Sequence, residues 1–168
     1  MNHSNILTPA IFLSMVFEVE NSQMFDLVAH VDGGSLGNPG SAGVGVVIEG
    51  SESGKITIGK WIGRQDNNVA EYLALLEALQ CAVTLKARKL HVYSDSQVVV
   101  RQMTGQYNCR SSRLYSLNWV CRKLARSLTF TISYIRREHN AEANSLAGAA
   151  AHGRQPTSIQ TQYHVPDL

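Results

Sequence analysis

The rhythm of apolar and polar positions divides the chain into strand-like and helix-like stretches. Leu27 to Val31 is a β-prone apolar run that stops at Asp32, and a glycine-rich turn follows it. Gly43 to Ile48 and Lys55 to Ile62 form two further strand-like runs, divided by the turn-forming Gly50-Ser51-Glu52-Ser53-Gly54. Together the three runs predict an antiparallel meander. Alternation in the third assigns Ile56, Ile58 and Lys60 to one face and Lys55, Thr57 and Gly59 to the other. From Asn68 the period becomes helical, with Val69, Tyr72, Leu73, Leu76, Leu79 and Val83 at three- and four-residue steps. Asn68 reads as the N-cap. Glu71, three residues on, then holds the capping-box position, where its local role is to bond the Asn68 backbone N–H.

Leu90 to Ser94 is a fourth strand ending at Asp95, and Asp95 or Ser96 opens a short helix through Met103. Arg113 to Leu128 is a long helical pattern whose inner face carries Leu114, Leu117, Val120, Cys121 and Leu124. Thr129 to Arg136 is a fifth strand, and Ala141 to Ala151 an alanine-rich helix. The order β-β-β-α-β-α-α-β-α implies an α/β layer structure with a mixed sheet.

At 168 residues the chain suits one domain. A net charge of +2 makes it only mildly basic, so a polyanion must be held by locally clustered charge and hydrogen bonds. Cys81, Cys109 and Cys121 form no CxxC pair and are odd in number, which favours reduced thiols in a cytoplasmic protein over a secreted disulfide scaffold. Ile6 to Phe17 is largely apolar, but Pro9 interrupts it, no basic segment precedes it, and it is too short to span a bilayer. Residues 1–23 therefore read as an extension, a docking segment or an extra edge strand. Residues 24–152 form the domain, and 153–168, rich in Gln and containing Pro156 and Pro166, read as a flexible tail.

Asp32 and Asp95 each end an apolar strand, where neighbouring parallel strands of an α/β sheet present ligand-binding groups. Glu71 and Asn144 stand near helix starts. Singly, each has a structural explanation; together they describe a set of oxygen donors for a divalent metal. The segments DGGSLGNPGSAG, NNVAEYLALLEAL, VYSDSQVVVRQMTG and REHNAEANSLA resemble, in the same order and over about residues 25–151, the ribonuclease HI family.

That resemblance implies a five-stranded mixed sheet with helices on both faces, the first three strands antiparallel and the fourth and fifth parallel to the first. It also implies a monomer without membrane association that hydrolyses the RNA strand of RNA–DNA hybrids, leaving 5′-phosphate ends, with two Mg²⁺ or Mn²⁺ ions. The metal-holding and catalytic positions fall on Asp32, Glu71, Asp95 and Asn144. The hybrid-contacting ones fall on Gly33, Gly34, Asn38, Asn67, Asn68 and Gln97, small groups suited to reading 2′-hydroxyls across the minor groove.

The chain departs from the family pattern in four places. Asn144 stands where an Asp is usual, which predicts a weaker metal site, slower turnover and a preference for Mn²⁺. No residue matches the proton-handling His of many relatives; His139, in a short loop, is the candidate for proton shuttling or product release, with Arg137 to steady a phosphate. Asp66 replaces a Thr that helps to bind a DNA phosphate, and its charge would repel one. The basic, Trp-containing protrusion is missing, and Arg110, Arg113, Arg122, Lys123 and Arg126 are the candidates to replace it. The alternative is a hybrid-binding module inactivated by the loss of the last carboxylate. An accessory domain cut from a reverse-transcriptase-like or integrase-like protein is a third reading, weaker on the expectation that the chain is complete.

Overall fold

A computed structural model describes residues 25–50, 54–153 and 158–162. The readings of residues 1–23 lie outside the described residues. The strands are β1 (Asp26–Leu36), β2 (Gly40–Gly50), β3 (Gly54–Gln65), β4 (Lys89–Ser94), β5 (Thr129–Tyr134) and β6 (Ser158–Gln162). The helices are α1 (Asn67–Thr84), α2 (Gln97–Met103), α3 (Ser112–Ala125) and α4 (Ala141–Gly153), with a 3₁₀ turn at Arg137–His139. The sheet runs β5-β4-β1-β2-β3-β6: β1 to β3 form the expected meander, and β4 and β5 lie parallel to β1. The five expected strands are all present. The sixth arises within the segment read as a flexible tail, where β6 pairs antiparallel with β3 from Lys55↔Gln162 to Gly59↔Ser158. Its physical basis is the open edge of β3, whose unpaired N–H and C=O groups can accept another strand whatever the composition of that strand.

Two helices cover opposite faces because glycines let them approach. A Cβ on Gly33 would lie 2.1 Å from the Ala70 carbonyl carbon of α1, and one on Gly45 would lie 2.0 Å from the Ala143 carbonyl oxygen of α4. Asp32 pairs with Gly45 across β1 and β2, so Asp32 and α4 share one face and Gly33 faces α1 on the other. We expect Gly45→Ala to force α4 off the sheet and cost about 2–3 kcal/mol, lowering Tm by about 10 °C in a thermal melt. An unchanged Tm would mean that α4 can shift freely.

The core lies mainly between α1 and the sheet, built from Leu27, Ala29, Val31, Val44, Val46 and Ile48 against Tyr72, Leu75 and Leu79. Two details of the helix readings shift. The fully buried side of α1 runs through Leu75, Ala78 and Ala82, while Leu73 and Leu76 are only partly buried, because α3 as well as the sheet covers the helix. In α3, Asn118 is buried beside Leu114 and Cys121. Its Nδ2 donates to the Tyr72 hydroxyl at 2.9 Å, and that hydroxyl donates to Gln102 Oε1 at 2.6 Å, so these three buried side chains bond one another across three helices. Burial pushes the Tyr72 phenol up to about 12. All three cysteines are free.

Candidate active site

The register of the parallel pair β1/β4 explains how the first two acids meet. Val31 is level with Ser94, so the next residues, Asp32 and Asp95, emerge side by side. Beyond β4 the Ser94 hydroxyl accepts the Ser96 N–H at 3.1 Å, and Ser96 Oγ caps α2 by accepting the Val99 N–H. Asp95 is therefore not the cap, and its carboxylate is left to face Asp32.

Glu71 arrives from the other face, over the bare Cα of Gly33. Its Oε2 accepts the Gly33 N–H at 3.3 Å, and the helix is capped instead by Asp66, whose Oδ1 accepts the Val69 N–H at 2.9 Å. This corrects the capping reading of Asn68 and Glu71: α1 starts at Asn67, so the cap lies two residues earlier and Glu71 sits past the first turn, aimed at β1. One carboxylate oxygen from each of Asp32, Glu71 and Asp95 lies within 4.8 Å of the other two.

Burial first, then the neighbouring Asp95 charge, raises the Asp32 carboxyl to about 7. The Glu71 carboxyl is also pushed well above its ordinary range, by burial and then by the charges of Asp32 and Asp95. The positive charge of Arg137 opposes both shifts, which brings that exposed residue within electrostatic reach of the acids. Three acids held together against their own repulsion favour a cation among them.

Asn144 lies in the first turn of α4, one residue beyond Ala143, whose carbonyl abuts Gly45 opposite Asp32. Its Nδ2 is buried and without a hydrogen-bond partner. Asn140, not singled out in the sequence, is 1% exposed, and its Nδ2 donates to the Val31 carbonyl at 2.9 Å and toward Asp95 Oδ1 at 3.4 Å, tying the start of α4 to both acid-bearing strands. The Asn140 Oδ1 atom has no partner either. A lone Asn before an alanine-rich helix gives no sequence signal for such a tie. His139 stands on the 3₁₀ turn and lines a cavity of about 140 Å³ with His30, Glu49, Asn140 and Glu142.

Beyond the acids, the polar groups expected to meet a hybrid form a linked rim. Asn38 Oδ1 accepts the Asn67 N–H at 3.0 Å, and Asn67 Oδ1 accepts the Ser35 N–H at 3.0 Å. Asn38 and Asn68, with Asp66, Ser111 and Arg113, border a groove of about 380 Å³. Gln97 is exposed at the head of α2 and lines a separate groove with Arg101 and Tyr134. The expectation that Asp66 would present a bare repelling charge needs amendment. Its carboxyl is held below the usual range by the Val69 N–H and then by Arg113, whose Nη1 lies 2.7 Å from Asp66 Oδ2.

Residues 30–150 match the family described as reverse transcriptase-like. The chain is 36% identical over 124 residues to ribonuclease HI of Halobacterium salinarum, covering 73% of this chain and 62% of that protein. It is also 36% identical over 127 residues to a bifunctional protein of Mycobacterium tuberculosis, spanning 74% of this chain but 35% of the relative. Among solved structures it is similar to the Halobacterium salinarum RNase H1, with a TM-score of 0.72, 34% identity and coverage of 76% of this chain and 98% of that one. It is similar, too, to LC11-RNase H1 in complex with an RNA/DNA hybrid, with a TM-score of 0.70, 30% identity and coverage of 77% and 99%.

Proposed function

Since the chain belongs to the ribonuclease HI family, we propose that it is an endoribonuclease that hydrolyses the RNA strand of RNA–DNA hybrids with the help of divalent metal ions. The observation that carries this reading is the trio of carboxylate oxygens within 4.8 Å of one another at the ends of two adjacent parallel strands. Buried acids whose carboxyls are raised by mutual repulsion suit hard cations, so the donor set fits Mg²⁺ or Mn²⁺. Asp32, Glu71 and Asp95 would hold the ions, with Asn144 contributing a neutral oxygen. When bound, such ions supply charge that activates water and stabilises an in-line displacement at phosphorus.

The protein's own groups do the rest. Gly34, where a Cβ would meet nothing, lets the backbone approach the RNA sugar, with Gly33 packed against α1 behind it, while Asn38, Asn67, Asn68 and Gln97 offer amides to 2′-hydroxyls. The water oxygen bonds to phosphorus, the 3′-oxygen leaves with a proton, and the fragment retains a 5′-phosphate. Arg137 steadies the phosphate through its planar fork. His139 receives the water proton or eases product release; His139→Ala is expected to lower kcat roughly tenfold with KM little changed. Equal rates in the two proteins would remove it from the mechanism.

Three retained acids favour an enzyme over a pure binder, which would gain by shedding negative charge beside phosphates. The test is cleavage of a hybrid labelled on either strand, titrated with Mg²⁺ and Mn²⁺. The expected result is metal-dependent cutting of RNA alone, with Mn²⁺ effective at lower concentration. Failure to cut under any metal condition, in the natural protein and in Asn144→Asp alike, with hybrid still bound, would hand the assignment to the binding module.

A further inference from the structure

Residues 96–137 contain eight of the fifteen basic residues and none of the thirteen acidic ones, so a mildly basic protein carries one strongly basic, acid-free stretch. Helix α3 lies at its centre. The inner side of that helix is fixed by Leu114, Asn118 and Cys121 against the core. Its outer side presents Tyr115 at 60% exposure and Trp119 at 54%, one turn apart, followed by the exposed Lys123 and Arg126. The Lys123 ammonium stands 5.0 Å from the centroid of the Trp119 ring. Arg122 is directed inward, bonding Asn118 Oδ1 and the Gln102 carbonyl, so it braces the helix rather than adding to the free charge.

We propose that the Tyr115–Trp119–Lys123–Arg126 stripe binds a single-stranded nucleic-acid extension of the hybrid, leading it away from the catalytic groove. The proposal rests on the ribonuclease reading for its substrate, but on separate residues for its contacts. Continuity supports it: Arg113, at the head of the same helix, borders the groove formed with Asn38 and Asn68. Charge supports it as well: Arg113 is paired with Asp66, but the exposed Lys123 and Arg126 make no ion pair among the described residues, and the partner of such a basic strip is a polyanion. The two rings decide the kind. Bases within a duplex already cover one another's faces, whereas unpaired bases can stack on exposed rings, and a cation beside a ring takes the phosphate between them. A protein partner would use the two rings and Arg126 but leave Lys123, the cation set against the Trp119 ring, unaccounted for.

The test measures affinity in EDTA, so that nothing is cut, for a blunt hybrid, the same hybrid with a DNA overhang of about eight nucleotides, and the free single strand. The overhang is expected to tighten binding by the natural protein about tenfold. Tyr115→Ala/Trp119→Ala is expected to lose that gain while binding blunt hybrid as before, and Lys123→Gln/Arg126→Gln to flatten its salt dependence. In a Trp61→Phe background, Trp119 is the remaining tryptophan, and its fluorescence is expected to be quenched by the overhang and not by blunt hybrid; this reading decides the matter should the alanine variant fail to fold. An overhang without advantage, or a Trp119 signal indifferent to it, overturns the proposal. Binding of the free strand through Trp119 with no hybrid bound in EDTA, and none cut once Mg²⁺ or Mn²⁺ replaces the EDTA, would instead keep the stripe and overturn the ribonuclease reading.

Discussion

Asp32→Asn is expected to melt higher than the natural protein in the absence of metal, and to cleave hybrid at least a thousandfold more slowly when metal is present. The stability effect follows from the Asp32 carboxyl, raised from 3.8 to about 7 in the folded state. Between those values the folded protein binds the proton more tightly than the unfolded chain does. This contribution is therefore complete near pH 4 and is lost as pH rises to about 7, where ionisation adds a buried charge beside Asp95. The full shift would correspond to about 4 kcal/mol; because neighbouring acids share the repulsion, about 2 kcal/mol is expected at pH 8. Asp26 and Asp66, whose carboxyls are lowered by Arg88 and by the Val69 N–H respectively, act in the opposite sense at acid pH. They are common to both proteins, so the difference between the two melting curves from pH 4 to 8 reports Asp32 together with the part of the Glu71 shift that its charge causes. Added Mg²⁺ should raise Tm in the natural protein and have little effect on the variant. Identical pH profiles would mean that the acids bear no mutual strain, and the argument for a cation among them would fail.

The sequence made the acid-bearing strands legible because their signals are local: an apolar run, a terminal carboxylate and a turn-forming neighbour. The destination of Glu71 was not local. Asp-x-x-Val at 66–69 and Asn-x-x-Glu at 68–71 are both acceptable helix starts. What chooses between them is the missing side chain of Gly33, 38 residues away, whose N–H takes the Glu71 carboxylate. The same holds for Asn118 and Asn140. Each looks like a surface amide until the group that it satisfies is known: the Tyr72 hydroxyl for one, the Val31 carbonyl for the other. Periodicity likewise understated α1, since a helix covered on two sides buries small residues such as Ala78 and Ala82 that a single apolar stripe does not mark. Strand β6 was hidden because edge pairing draws on backbone groups that every residue carries.

Asn144→Asp is expected to raise cleavage about tenfold or more at limiting Mg²⁺, and to shift half-saturation to correspondingly lower metal concentration. A unit charge added about 4 Å from a divalent ion contributes roughly 2 kcal/mol even in a water-like dielectric, which is about thirtyfold in affinity. The present amide forgoes that attraction, and its Nδ2 is buried with no acceptor, so the position already bears an unsatisfied donor that a carboxylate would remove. The gain carries a penalty that identifies its origin. If residue 144 faces the ions as proposed, a fourth negative group joins Asp32, Glu71 and Asp95 and deepens the repulsion in the metal-free protein, so the variant should melt lower than the natural protein in EDTA and higher in Mg²⁺. Asn144→Ala separates charge from oxygen donation: it should lose activity without the EDTA penalty. If Asn144→Asp altered neither the metal titration nor the metal-free Tm, its side chain would be a packing group of α4, and the cations would be held by the three acids alone. The crossing of the two melting curves is thus the sharper observable, since a rate change can arise from many steps but a sign reversal with metal requires a charge at the ions.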